Sequence, residues 1–380
     1  MKIAYIYTAL VTVGGADRVV TEKANYLADK MGHDVYIITD SQNNRQPAFP
    51  LSDKVKHIDL DVNFDKQYHH GLVVRSYYYF SLMRLYKKRL TKLLNEIKAD
   101  VVVTTLGRDL DFLTKLKDGS KKVGESHIAK QYTRNFHLLE ARGFPYKPIV
   151  QYWRRKQEKA VKRLDAFVVL TQYDAKSWSP IKVAEIIPNS LPFYTDESSP
   201  LNEKKIITVG RLSEQKGFDL LISAWSLIAM RHPEWELHLY GEGELENELR
   251  KSITHNGLKN SFILHKPVKN IKEKYLESSI YVMSSRFEGF GMVLIEALAC
   301  GVPGISFDCP HGPSYIIKDG EDGILVENGN VEKLADAISS LIVDEEKRTE
   351  MGKAAKRNVV RYSQENIMQQ WENLFNKLMS

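Results

Sequence analysis

Tyr281-Val282-Met283-Ser284-Ser285 leads, two residues on, into Glu288-Gly289-Phe290-Gly291-Met292-Val293-Leu294-Ile295-Glu296-Ala297. A short apolar run, a small polar break, then glycines opening an apolar helical stretch reads as strand, loop and helix. Glycines there leave backbone N–H groups exposed where the helix begins, which suits phosphate or sugar oxygens. Two carboxylates eight residues apart bracket those glycines. A carboxylate beside an anion site makes sense where it accepts from hydroxyls, and a sugar and a ribose both supply them. The plainer reading is a capping Glu288 and a surface Glu296. Against it, Glu296 falls inside the apolar run Met292–Leu298.

Upstream, Gly210-Arg211-Leu212-Ser213-Glu214-Gln215-Lys216-Gly217 follows the apolar run Ile206–Val209. Arg211 and Lys216 therefore sit at the carboxyl end of a strand, where open parallel sheets bind ligands. A guanidinium fork and an ammonium point charge on one loop suit a diphosphate; a solvated basic loop is the alternative. Further upstream, Gly14-Gly15-Ala16-Asp17-Arg18 opens a helix after the first apolar run. Its glycines would let a phosphate approach the helix start, or would make only a tight turn with Asp17 as a cap.

Both halves alternate apolar runs with helical patterns, which is how a parallel α/β sheet reads. In the first half the strand candidates are Lys2–Tyr7, Val35–Thr39, Val101–Thr105, Lys122–Gly124 and Ala166–Leu170, with helices at Ala16–Met31 and Tyr77–Ile97. In the second they are Lys205–Val209, Glu236–Tyr240, Phe262–Leu264, Ile280–Met283, Gly304–Ser306 and Gly323–Val326. Helices are expected there at Phe218–Met230, Glu244–Asn256, Gly291–Ala299 and Val331–Val343. The boundary is expected near Pro188-Asn189-Ser190-Leu191-Pro192. This gives a first domain over 1–190, a second over 191–363, and a C-terminal helix over about 364–380 packing back on the first.

The 380 residues suit two domains, and 43% hydrophobic with 27% charged residues is an ordinary globular composition. No apolar stretch approaches the ~20 residues that span a bilayer. The start, Met1–Tyr7, lacks the long apolar core and cleavage site of a signal peptide and reads as a buried strand. Cys300 and Cys309 have neither CxxC spacing nor zinc-spaced histidines, so a reducing, cytoplasmic setting is expected. The net charge of +6 conceals an asymmetry: residues 1–190 carry 32 Lys and Arg against 20 Asp and Glu, and residues 191–380 carry 22 against 28. A basic half commonly meets something anionic.

With these motifs, the chain resembles family 4 retaining glycosyltransferases of the GT-B fold, particularly those of bacterial surface polysaccharides and lipid-linked oligosaccharides. The resemblance runs through Gly-Gly-Ala-Asp-Arg, Gly-Arg-Leu-x3-Lys-Gly, Tyr240-Gly241-Glu242-Gly243, Glu-x7-Glu and Ala299-Cys300-Gly301-Val302-Pro303. It implies two Rossmann-like domains with a cleft between them, the first on the acceptor side and the second holding a nucleotide-sugar donor. It also implies roles. Gly14 and Gly15 would face the donor phosphate or the acceptor. Arg211 and Lys216 would hold the diphosphate. Glu288 would accept from donor-sugar hydroxyls, with the backbone of Gly289, Phe290 and Gly291 nearby. Glu296 would bind the ribose, the backbone around His265–Val268, including Lys266, would face the base, and His127 would stand against the donor sugar.

One departure is Asp308-Cys309-Pro310-His311-Gly312-Pro313-Ser314-Tyr315, where Tyr315 stands in place of a glutamate that many relatives carry. This variant resembles a subgroup using UDP-hexoses or UDP-N-acetylhexosamines. The other is Asp17, in place of the commoner Glu. No cofactor and no metal are expected. Asp109-Leu110-Asp111 has the letters of a metal motif but lies in the first half. Retention is expected through same-face attack, the departing phosphate helping to take the acceptor proton. Rival readings are a GT-B nucleotide-sugar epimerase, a GDP-mannose-dependent transferase, or a non-catalytic protein binding anionic surfaces. The segments 77–92 and 129–163 mix Lys and Arg, Arg142 among them, with aromatic residues. That mixture suits peripheral binding to an anionic membrane, here the inner face of the plasma membrane, bringing a polyprenyl-diphosphate-linked or other glycan acceptor. The alternative is an ordinary helix with a solvated charged face. No nucleic-acid recognition motif accompanies these residues.

Overall fold

Lys-Ile-Ala-Tyr-Ile-Tyr at positions 2–7 forms the first strand of a computed structural model that describes residues 1–69, 71–141, 143–144, 146–182 and 185–380. Arg142 lies outside the described residues. The chain divides into two units, Met1–Ser190 with Gln364–Ser380, and Leu191–Ser363.

The first unit is built on β1 (Lys2–Tyr7), β2 (Asp34–Thr39), β3 (Lys56–Asp59), β4 (Val101–Thr104), β5 (Lys121–Ser126), β6 (Ala166–Val169) and β7 (Glu185–Ile186). They pair in parallel in the order β3-β2-β1-β4-β5-β6-β7. Every residue of β4 and β6 is buried, as expected of strands covered by helices on both faces. The helix Leu72–Ile97 packs one face on this sheet, with Tyr86 edge-on to Phe64 at 5.8 Å and to Phe112 at 5.4 Å. The helix Gln364–Met379 belongs to the same unit. Its fully buried Trp371 lies under the ammonium of Lys23, 4.0 Å from the ring centroid. Glu372 Oε2 stands 2.6 Å from His33 Nε2.

The second unit holds β8 (Lys205–Val209), β9 (Glu236–Tyr240), β10 (Phe262–His265), β11 (Ile280–Met283), β12 (Gly304–Phe307) and β13 (Gly323–Val326). Their order is β10-β9-β8-β11-β12-β13, again all parallel. A core cluster of this unit gathers Leu237, Phe262, Val282 and Ile305 from the sheet with Trp225 of the helix Phe218–Ile228 and Leu341 of the helix Val331–Val343. In each sheet the order reverses beside the first strand, between β1 and β4 and between β8 and β11. Chains leave these strands in opposite directions there, which opens a crevice at their carboxyl ends.

Most elements read from the sequence recur with ends shifted by one or two residues. The structure adds β3, β7 and the helix Glu345–Asn358. It also extends the expected helix Tyr77–Ile97 back to Leu72.

Candidate functional site

In the second unit, the loops leaving β8 and β11 are stitched together. Gly217 adopts a left-handed φ of 61°, and a Cβ there would lie 2.1 Å from the Ser284 carbonyl oxygen. Only glycine allows that approach, and it brings the Lys216 carbonyl to the Ser284 hydroxyl, which donates to it at 3.0 Å. The Arg286 backbone N–H donates to the Gln215 carbonyl at 2.8 Å, and Gln215 Nε2 donates to the Phe287 carbonyl at 3.1 Å. Arg286 also forks onto Asp219 at 2.8 and 2.7 Å.

This stitching brings Lys216 and Glu288 together. Lys216 Nζ lies 2.7 Å from Glu288 Oε1, and the Ser285 hydroxyl donates to the same oxygen at 2.6 Å. Ser285 and Glu288 are both buried. Arg211, on the same loop as Lys216, is exposed and pairs with no carboxylate among the described residues. Gly289 follows Glu288, and Phe290 is buried edge-on against Tyr362 at 5.5 Å. Gly291, with φ of 107°, turns the chain into the helix Met292–Ala299. Its unpaired first N–H groups and dipole form a positive end beside the loop. Glu288 does not cap this helix. Its Oε1 is engaged by Lys216 and Ser285, and Gly291 holds the cap position without a side-chain bond.

Glu296, one turn further, is buried and not a solvated surface acid. The hydroxyl of fully buried Tyr275 donates to its Oε2 at 3.2 Å. At the end of β10, His265 stacks on Tyr240 with ring centroids 4.5 Å apart, and burial pulls its pKa down. The Lys266 side chain is engaged with Glu246 at 2.8 Å, and Val268 is exposed. Tyr315 is exposed, and its carbonyl accepts from the Tyr362 hydroxyl at 2.9 Å. Burial, with Glu288 adding to it, pushes the Cys309 thiol up.

In the first unit, Gly14 caps the helix Gly15–Asp29, and Gly15 is exposed. Asp17 is not the cap of that helix. Its two oxygens accept from the Tyr7 hydroxyl at 2.8 Å and from the Thr12 N–H at 2.7 Å, which pins the loop between β1 and the helix. His127 follows β5, its Nε2 3.4 Å from Glu125 Oε1. Glu125 in turn forms a buried ion pair with Lys23. Burial would raise the Glu125 pKa, but Lys23 and then His127 overcome it and hold the carboxyl at about 2. Asp111 is taken by Arg134 at 3.3 Å and Lys156 at 3.0 Å, while Asp109 is buried. Of the two Asp-x-Asp carboxylates, Asp111 is thus held in ion pairs and Asp109 is closed off from solvent. Among the described residues no group of three or more His, Cys, Asp or Glu side chains is placed to hold a metal ion.

Arg211, Lys216, Glu288, Gly289, Phe290 and Gly291 are therefore neighbours at one switch point, with Glu296 one helical turn away. Gly14, Gly15 and His127 lie in the other unit. Ser285, Tyr275, Lys23 and Glu125 escaped the sequence reading as supports of these residues. Only Ser285 carried a local signal, three residues ahead of the acid it holds.

The model of the family described as Glycosyl transferases group 1 matches residues 195–358, and that of Glycosyltransferase Family 4 matches residues 13–192. The chain belongs to glycosyltransferase family 4. This glycosyltransferase is 28% identical to an exopolysaccharide phosphotransferase of Streptomyces coelicolor, a match that uses 100% of the chain and 41% of that relative. The chain thus spans less than half of that protein. It is 27% identical to an uncharacterized glycosyltransferase of Haemophilus influenzae, over 98% of the chain and 99% of the relative. It is 34% identical to the amylovoran biosynthesis glycosyltransferase of Erwinia amylovora, over 57% of the chain and 66% of the relative. Among solved structures, S. aureus TarM in complex with fondaparinux, α-GlcNAc-glycerol and UDP matches with a TM-score of 0.78 at 16% identity, over 99% of both chains. The fold is that of the GT-B glycosyltransferases.

Proposed function

We propose that this glycosyltransferase moves a hexose or N-acetylhexosamine, with retention, from a UDP-sugar to a glycan or lipid-linked glycan acceptor. The observation that carries the reading is the Lys216–Glu288 pair at the β8/β11 switch point, with Arg211 exposed on the same loop as Lys216 and paired with no carboxylate among the described residues. UDP bound to TarM, and the polysaccharide names of the relatives, agree with this donor and acceptor class.

In this reading the Leu191–Ser363 unit takes the donor. Arg211 and Lys216 hold the diphosphate, and with the positive end of the helix Met292–Ala299 they stabilise the charge on the departing nucleotide. Glu288 accepts from sugar hydroxyls, and the backbone of Gly289, Phe290 and Gly291 borders the sugar. Glu296 accepts from the ribose, and the backbone around Lys266 and Val268 borders the base. The other unit serves the acceptor, with Gly14 and Gly15 at its helix start and His127 set by Glu125. The acceptor hydroxyl attacks the anomeric carbon on the face the diphosphate leaves, and its proton passes to a departing phosphate oxygen. No cofactor and no divalent cation take part, because two cationic side chains and a helix end supply the positive charge.

The test is mass spectrometry of reactions offering a panel of nucleotide sugars with lipid-linked acceptors, with and without EDTA. Transfer from a UDP-sugar that survives EDTA supports the reading. Transfer from GDP-mannose only, epimerised free sugar nucleotide, or turnover restored by Mg²⁺ overturns the corresponding part.

A second reading concerns location. No helix among the described residues is long and apolar enough to cross a membrane. On the helix Leu72–Ile97, Arg84, Lys87, Lys88 and Lys92 line a surface depression of about 480 Å³, and Tyr77 and Phe80 are exposed on the same helix. Cations with exposed aromatic rings suit the headgroup layer of an anionic membrane, which favours peripheral attachment at the inner face.

A further inference from the structure

Glu288 is a carboxylate whose two oxygens have different surroundings. Oε1 accepts twice, from Lys216 Nζ at 2.7 Å and from the Ser285 hydroxyl at 2.6 Å. Oε2 accepts from no group among the described residues, although the side chain is only 7% exposed. A carboxylate offers about four lone-pair sites, so half of its accepting capacity is already used and directed. The lysine alone would not fix the carboxylate plane, because an ammonium is a point charge on a flexible stem. The serine does, because its hydroxyl is buried, three residues away on the same loop, and short in its bond.

That loop is itself held. Ser284, the neighbour of Ser285, donates to the Lys216 carbonyl at 3.0 Å, and the Gly217 backbone comes so close to the Ser284 carbonyl that a Cβ there would lie 2.1 Å from its oxygen. Arg286, on the other side, is tied through its backbone to Gln215 and through its guanidinium to Asp219. Ser285 thus presents its hydroxyl from a fixed backbone to a carboxylate that also neutralises Lys216.

We propose that Ser285 is a positioning residue for sugar recognition: it locks Glu288 Oε1 so that Oε2 is the oxygen presented to the sugar hydroxyls of the donor. The inference rests on the reading of Glu288 as a sugar-facing acid. It assigns Ser285 to the sugar and not to the nucleotide, since the residues proposed to hold the nucleotide are Arg211, Lys216 and Glu296.

The experiment is calorimetric titration of the full chain with UDP, UDP-glucose and UDP-N-acetylglucosamine, for the wild type, Ser285→Ala and Glu288→Gln, with melting temperatures recorded alongside. Removing the hydroxyl should weaken the better-bound UDP-sugar about tenfold, the scale of a hydrogen bond to a charged group, while UDP affinity stays within about twofold. A merely structural role for Ser285 would move UDP and UDP-sugar together. Equal weakening of both ligands, or no change in either, overturns the proposal. If Glu288→Gln weakens the UDP-sugar and Ser285→Ala does not, the assignment of Ser285 fails and the role of Glu288 stands. If Glu288→Gln leaves the UDP-sugar as tightly bound as in the wild type, the underlying reading of Glu288 fails. A wild type that binds none of the three ligands overturns the proposed donor and this inference with it.

Discussion

Lys23 and Glu125, 102 residues apart, form an ion pair whose side chains are 5% and 1% exposed. The pair links the helix after β1 to the end of β5. It also reaches in two directions, to His127 through Glu125 and to the ring of Trp371 through Lys23. Taking one partner away leaves a buried charge without compensation, which typically costs about 3–5 kcal/mol, whereas replacing both by apolar or neutral groups costs far less. Lys23→Ala should therefore lower the melting temperature of the first unit sharply. The double change Lys23→Met with Glu125→Gln should recover most of the loss. Differential scanning calorimetry of the three variants checks this, and a double variant as unstable as the single one would contradict it.

Three buried acids make stability fall as pH rises. Burial pushes Asp40 up to about 7, and Asp109 and Asp174 each up to about 6. Between their ordinary value near 4 and these raised values, the folded chain holds more protons than the unfolded one. Stability is therefore greatest at the acid end of that window and declines as pH passes from about 4 through 7. Asp40→Asn removes one of these penalties while keeping an acceptor for the Ser41 hydroxyl, which donates to Asp40 at 2.6 Å. The variant should melt higher than the wild type at pH 8, and that advantage should shrink steadily as pH is lowered to about 4. A wild-type advantage at pH 8 would reverse the assignment.

The two halves were legible because their central strands are continuous apolar runs. Ile3–Ile6 and Ile280–Met283 are fully buried, and no turn signal interrupts them. What escaped had no such run. Lys56-His57-Ile58-Asp59 is a part-exposed edge strand, and Glu185-Ile186 has two residues. The helix Glu345–Asn358 opens Glu-Glu-Lys-Arg, and part of its buried face is Arg348, Gly352 and two alanines, not an apolar stripe. The candidate site divides in the same way. Spacing exposed Arg211, Lys216, Glu288 and Glu296, because strand ends and helix starts have local signatures. Tyr275 on Glu296 and Lys23 on Glu125 join residues 21 and 102 apart, a pairing that only the folded sheet creates.

Two glycines with similar left-handed backbones should respond differently to alanine. At Gly217 the new Cβ would meet the Ser284 carbonyl at 2.1 Å, whereas at Gly257, with φ of 70°, it would meet nothing within 4 Å. Gly257→Ala should cost only the left-handed penalty of about 1–2 kcal/mol. Gly217→Ala should cost more and should also reduce turnover, because it pushes the β8 loop away from the β11 loop and so separates Lys216 from Glu288. Chemical denaturation and UDP-sugar turnover of both variants check it. Equal losses at the two positions would show that the close approach matters little.

Membrane attachment should depend on charge at one helix. Each Lys or Arg near an anionic surface contributes about 1 kcal/mol, so Lys87→Glu with Lys88→Glu should abolish flotation with anionic vesicles at low salt. The wild type should float with anionic vesicles and not with neutral ones. Equal recovery with both, or none with either, leaves the helix Leu72–Ile97 as an ordinary solvated face.

Arg211 and Lys216 should fail in different ways. Both would carry leaving-group charge, so either change to alanine should lower turnover about 100-fold or more, the ~3 kcal/mol that losing one preorganised partner costs. Their surroundings differ before any ligand arrives. Arg211 is exposed and pairs with no carboxylate among the described residues, whereas Lys216 neutralises Glu288 at 2.7 Å. Arg211→Ala removes a cation and disturbs nothing buried, so the melting temperature without ligand should hardly move. Lys216→Ala leaves a nearly buried carboxylate with only the Ser285 hydroxyl for support, so it should also lower the melting temperature at neutral pH. Glu288→Gln in the Lys216→Ala background should restore stability without restoring turnover, because a neutral amide removes the orphaned charge but not the need for a cation at the diphosphate. Melting curves and UDP release for the four proteins decide it. Near-normal turnover in both single variants would remove the diphosphate from this loop, and a double variant no more stable than Lys216→Ala would mean that the pair does not set the local stability.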